Sequence, residues 1–135
     1  MWTAQGESNL TPPSEQCPRK VEALAAHCER LGRNRSEIAV SQHLNVVIAS
    51  TLDDAYKAVV EFLRSRGLDI EGMDEDSRNA FLNVVVWGDE DQVGDKLSGV
   101  LALGADGITC SLPGTAHEIE SVEQLGKTAS KVLGL

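Results

Sequence analysis

The sequence predicts an α/β fold in which a short parallel sheet is backed by helices. Three observations carry this. First, "GVLALGADGITCSLPG" (99–114) reads as the end of a buried helix, a tight glycine turn, a short strand and a Gly/Pro loop, which is one αβ step. Second, helical and strand-like patterns alternate along most of the chain, with connections that suit right-handed parallel crossovers. Third, "IAVSQHLNVVIAS" (38–50) is too rich in β-branched residues for a good helix, and its two faces differ. A closed βα barrel needs eight strands and about 250 residues. With 135 residues, this chain holds only part of one.

The elements follow in order. Residues 1–16 form a polar lead-in carrying Pro12 and Pro13, and 17–135 form a single α/β domain. Pro18 suits the first turn of a helix over 18–31, whose inward stripe is Val21, Leu24, Ala25, Cys28 and Leu31, with Gly32 as its stop. In strand 38–50, Ile38, Val40, Leu44, Val46 and Ile48 make a bulky apolar face, interrupted by Gln42. Ala39, Ser41, His43, Asn45, Val47 and Ala49 make a small or polar one.

"TLDD" (51–54) caps a second helix through Thr51, with Ala55, Ala58, Val59, Phe62 and Leu63 inward and Gly67 at its end. Residues 68–79 are acidic and aperiodic and read as an exposed loop or an insertion. "FLNVVVW" (81–87) reads as a strand or an extended entry segment. "GDEDQV" (88–93) opens a third helix capped by Asp89, with Val93, Leu97, Val100 and Leu101 buried. Strand 106–112 follows. Ser121 and Gln124 cap a last helix that turns Val122, Leu125, Ala129, Val132 and Leu133 inward.

Composition excludes several functions. A net charge of -9 argues against a nucleic-acid footprint, which needs clustered Lys and Arg. No apolar run reaches the length of a membrane span, and the N-terminus lacks a secretory pattern, so a cytoplasmic protein is expected. Cys17, Cys28 and Cys110 are odd in number and form no C-x-x-C pair, so they read as core or cap residues rather than a disulfide or metal set. His27 belongs on a helix surface. The acidic stretch Glu71–Asp76 lacks the spacing of a calcium loop. No nucleophile–base pair identifies a catalytic residue.

"KVEALAAHCERLGRNRSEI" (20–38) resembles a helix and turn of the luciferase-like oxidoreductases, the bacterial luciferase relatives and deazaflavin (F420)-dependent enzymes. "GDEDQVGDKLSGVLALGADGITCSLPG" (88–114) resembles the last helix–strand step of the same family, and "MWTAQGE" (1–7) the tail of a preceding strand. The resemblance implies a partial TIM-barrel-like fold matching the family's C-terminal third. It implies F420 or FMN as the cofactor of an active form, although no G-x-G-x-x-G occurs.

In such a barrel the bulky face of strand 38–50 meets the helices, and Ser41, His43 and Asn45 point inward. On the last strand Ile108, Cys110 and Leu112 lie under the helices, while Ser111, Gly114 and His117 edge the C-terminal mouth, where barrels bind ligands. The candidate cofactor-binding residues are therefore His43, Asn45, Ser111, Gly114 and His117. Two functions remain open: an F420- or flavin-linked oxidoreductase domain whose missing strands a partner supplies, and a non-catalytic binding or assembly module. An uncovered sheet face and a bare strand edge lead to the expectation of a homodimer.

Overall fold

The structure, a computed structural model, describes residues 2–4 and 12–135. Its elements are β1 (Trp2–Ala4), α1 (Pro13–Arg30), β2 (Val40–Ile48), α2 (Leu52–Ser65), α3 (Glu75–Asn83), β3 (Val86–Gly88), α4 (Glu90–Ala102), β4 (Gly107–Ser111) and α5 (Ile119–Leu133). Short 3-10 turns at 35–37 and 70–72 join them.

All strand pairs are parallel, and β2 takes part in each. It bonds β1 through Val40–Gln42, β4 through Ser41–Asn45 and β3 through Val46–Ile48. Ser41 and Gln42 pair with β1 and β4 at once, so these two strands flank β2 on opposite edges. The register against β4 is anchored at its start. Asp106 accepts a bond from the Val40 amide on its carboxylate and donates its own amide to the Val40 carbonyl, both at 2.8 Å. Arg35 supports the corner, donating to the Ile38 carbonyl at 2.6 Å with its other terminal nitrogen 3.8 Å from Asp106.

Side chains on a strand alternate between faces, so Val46 and Val47 point to opposite sides. Leu44, Val46 and Ile48 pack with Val93, Leu97 and Val100 of α4 and with Leu125 of α5. This is the main core, on the face expected to meet the helices. Val47 belongs to a second cluster with Val59, Val60 and Leu63 of α2, Ile70, Leu82 and Val85. The sheet is thus covered on its second face too, at the C-terminal end of β2. The expectation that Val47 lies partly exposed is corrected: it is buried, because α2 and α3 fold back over it.

Other differences have local causes. The first helix begins at Pro13, so Pro18 lies inside it, and Cys17 is fully buried. Part of the lead-in is therefore ordered as β1 and the start of α1, whereas residues 5–11 lie outside the described ones. Ala25 and Leu31 are exposed, because α1 is covered only along the side that carries Cys17 and Cys28. The acidic stretch 68–79 is not a plain loop. Asp74 caps α3, accepting from the Ser77 amide at 3.0 Å, and Phe81–Asn83 end that helix instead of starting a strand. Leu82, the buried residue of this helix, is masked in the sequence by the β-branched run 84–86 that follows it. The last helix starts at Ile119 after Glu118, and Ser121 only donates to the Glu118 carboxylate. On that helix Val122 and Leu133 are exposed, while Leu125 packs inward.

The caps at Thr51 and Asp89 form as the sequence predicts, accepting from the amides of Asp54 and Gln92 at 3.2 and 3.0 Å. Gly88 is needed at the turn between β3 and α4. Its φ is +148°, and a Cβ there would stand 2.7 Å from that of Gln92.

Two outcomes follow. Leu97→Ala, at the centre of the main core, lowers unfolding free energy by about 2–5 kcal/mol in urea titration; a loss below about 1 kcal/mol contradicts the packing described. The bonds from Ser77 hold the Asp74 carboxyl below its ordinary pKa. A depressed pKa favours the folded state above the unfolded value and loses that contribution as pH falls through the folded one. Amide exchange in α3 therefore accelerates, relative to α4, as the pH drops below about 4, and Asp74→Ala removes this dependence.

Candidate functional site

The parallel register of β2 and β4 sets His43 beside Thr109 and Asn45 beside Ser111 on one face of the sheet. Thr109 and Ser111 stand one turn of the pleat apart, and the imidazole of His43 spans them. Its Nδ1 lies 3.0 Å from the Thr109 hydroxyl, and its Nε2 lies 3.1 Å from the Ser111 hydroxyl. In a neutral ring one nitrogen donates and the other accepts, and each hydroxyl rotates to answer. The ring is fixed in plane without any charged partner. His43 and Ser111 are half-buried, Thr109 and Asn45 exposed, so the row presents polar groups to the space in front of the sheet.

Of the five sequence-predicted residues, the structure joins His43 and Ser111 directly and puts Asn45 on the same face. Gly114 and His117 lie on the loop 112–118 after β4, both exposed, and share no hydrogen bond with His43 or Ser111 among the described residues. Strand alternation puts Thr109 on the Ser111 face, and its bond to His43 depends on the register of two strands, with the residues 66 apart in sequence. On the opposite face Cys110 corrects an expectation. It is exposed, whereas Ile108 packs on the main core and Leu112 is buried in it. Helix cover reaches the two ends of β4 and leaves its middle bare. Gln42 is buried beside Ile108; its Nε2 donates to the His43 carbonyl at 3.3 Å and its Oε1 has no partner. An amide bond to the His43 backbone ties that residue from behind.

Two cavities open near this end. One of about 550 Å3 runs between the start of α1, the end of α3 and α4, lined by Glu15, Leu82, Val86, Lys96 and Leu103 among others. The Lys96 ammonium donates to the Trp87 carbonyl at 2.6 Å and sits 5.1 Å over the Trp87 ring, and burial lowers its pKa. The second, of about 430 Å3, is lined by Asn45, Phe62, Leu63, Arg66, Leu68, Phe81, Val84 and Val85. It adjoins the His43 row through Asn45; the larger cavity does not. No cluster of three metal-ligating side chains occurs among the described residues.

Neither a protein-family model nor a curated protein matches the sequence. Solved structures do. A coenzyme F420-dependent tetrahydromethanopterin reductase from Methanopyrus kandleri superposes with a TM-score of 0.60 at 21% identity, over 87% of this chain and 42% of its own. The FMN-bound oxygenating constituent of 3,6-diketocamphane monooxygenase from Pseudomonas putida gives 0.60 at 16%, over 88% and 40%. DmoA from Hyphomicrobium sulfonivorans gives 0.60 at 18%, over 93% and 40%. The fold is that of part of a TIM barrel. The chain spans about two fifths of the length of these proteins. In such a barrel ligands lie at the C-terminal ends of the strands; Ser111 ends β4, while His43 and Asn45 lie in the middle of β2.

Ser111→Ala deletes one of the two hydroxyls on His43. It costs about 0.5–1.5 kcal/mol of stability and shifts the Nε2 resonance of His43 in a histidine-selective nitrogen spectrum. An unchanged Nε2 signal contradicts the bond.

Proposed function

We propose that this chain is the C-terminal βα portion of a luciferase-like, F420- or flavin-linked oxidoreductase site, completed by strands from a partner or a further copy. The supporting observation is the row His43–Thr109–Ser111 with Asn45, polar and open, on the inner face of a fold shared with F420 and FMN proteins. The donor set suits the polar edge of a flavin or deazaflavin ring, which carries carbonyl and N–H groups side by side. His43, Asn45 and Ser111 would hold that edge, with Gly114 and His117 bordering it from the loop after β4. The bound ring supplies hydride chemistry; the chain's own groups position it, through hydroxyls that orient the imidazole and an amide at Asn45.

Assembly is part of the same reading. β4 bonds only β2 among the described residues, which leaves its outer edge unpaired. On α5, Ile119, Val122 and Leu133 are 70%, 50% and 57% exposed, an apolar stripe that a neighbouring helix would cover. A homodimer through the β4 edge and this stripe is the simplest closed arrangement. Burial of Val47 moves the contact away from the end of β2 and toward β4 and α5.

A second reading has an observation of its own. Both ring nitrogens of His43 are already satisfied within the chain, which suits a structural role in a non-catalytic binding or assembly module.

Titration with FMN and with F420, followed by cofactor fluorescence, separates the two. Binding at or below about 100 μM that His43→Leu and Asn45→Asp each weaken about tenfold supports the cofactor site; no binding by the assembled protein supports the module. Light scattering at low micromolar concentration is expected to show twice the chain mass, and Val122→Asp is expected to return it to one. A particle of one chain mass in both cases rejects the dimer.

A further inference from the structure

We propose that the cavity between α2 and α3 is a binding site for a small aromatic carboxylic acid, with Arg66 as the carboxylate anchor. The inference stands apart from the cofactor reading and does not need it.

The cavity, about 430 Å3, lies within the range of small-molecule sites, and its lining has their usual make-up of an apolar wall with few polar groups. Phe62 and Phe81 bring rings to it from two helices, and Leu63, Leu68, Val84 and Val85 complete the apolar wall. The only polar side chains on it are the Arg66 guanidinium and the Asn45 amide.

Arg66 supplies the positive charge of this lining. The acids near the end of α2 are all taken by Arg64, which reaches Glu61 at 3.1 Å, Glu71 at 3.0 Å and Asp69 at 4.0 Å. Arg66 has no carboxylate partner among the described residues. Its guanidinium instead lies 5.5 Å over the Phe62 ring, at the rim of the cavity. Its backbone is held as the cap of α2, with the amide bonded to the Leu63 carbonyl at 3.0 Å, and Gly67 turns the chain away behind it.

A guanidinium stacked on an aromatic face keeps its N–H edge free, and that edge matches a carboxylate with two parallel bonds. A carboxylate placed there would direct its apolar body over Phe62 and Phe81, and Asn45 offers one further hydrogen bond. A flat ring suits the space between two phenyl groups better than a flexible chain does, since edge or offset contacts between rings add to burial. A neutral ligand would leave the Arg66 edge unused. A phosphate would fill the polar corner and leave the apolar wall bare.

The test uses the full chain, with sodium benzoate as probe and benzyl alcohol as its neutral analogue, followed by amide nitrogen–proton spectra. Saturable benzoate shifts at Asn45, Phe62, Arg66 and Phe81 are expected, with benzyl alcohol binding at least about tenfold more weakly. Arg66→Met is expected to weaken benzoate about tenfold while leaving the thermal midpoint unchanged, as Arg66 is exposed. Absence of saturable shifts, shifts confined to another part of the chain, or equal affinity for acid and alcohol overturns the proposal. Should Arg66→Met unfold, the acid–alcohol comparison on the unaltered chain decides the matter. Loss of FMN or F420 binding has no bearing on these outcomes, so the two readings fail separately.

Discussion

Every other strand among the described residues hydrogen-bonds to β2, and nine residues of one strand therefore hold the sheet together. The constraint is severe. β2 must accept partners on both edges, bury bulky groups against α4 and α5 on one face, and bury Val47 against α2 and α3 on the other. Val40, Leu44, Val46, Val47 and Ile48 meet these demands with β-branched or compact apolar side chains, stiff enough to pack without much loss of rotamer freedom. A one-residue slip against β4 would turn the apolar set toward the open face and the polar set into the core. Asp106 prevents the slip, because it grips the Val40 amide and carbonyl together. Stability and site geometry thus rest on the same register.

That register also explains why the polar row exists. Ser41, His43 and Asn45 lie on the face of β2 turned away from α4 and α5, and the matching positions on β4 are Gly107, Thr109 and Ser111. An imidazole between two hydroxyls has both ring nitrogens hydrogen-bonded and tolerates partial exposure. It costs little when no ligand is near and offers oriented donors and acceptors when one is. On this face Val47 is buried under α2 and α3 and Ser41 is buried near the start of β2, so the opening lies between them, at His43 and at Asn45 with its cavity.

The bare regions have a common physical origin. A βα unit in a barrel is covered by the units on either side, and here cover is lacking beyond β4 and beyond α5. The outer edge of β4, the exposed thiol of Cys110 and the apolar stripe of α5 are such bare regions. Exposed apolar area of this kind is the surface on which the proposed assembly would form.

Much of this was legible in the sequence. Alternating patterns gave the parallel α/β class, the two faces of β2, the caps at Thr51 and Asp89 and the stops at Gly32, Gly67 and Gly104, because those features depend on residues within a turn of each other. His43 and Ser111 were readable as inward residues because strand alternation is local too. Elements governed by distant contacts were not readable. Helix α3 lies in an acidic, weakly periodic stretch and owes its place to Leu82 against α2. The burial of Val47, the exposure of Cys110 and the grip of Asp106 on Val40 each depend on what lies across space. The sequence by itself determined which segments are strand or helix and which strand face is polar. Only the tertiary structure decided that His43 meets Thr109 and Ser111, and that Arg66 borders a cavity without an acid beside it. The reason is physical: hydrogen-bond geometry and burial are set by strand register and helix packing, and no local pattern encodes those.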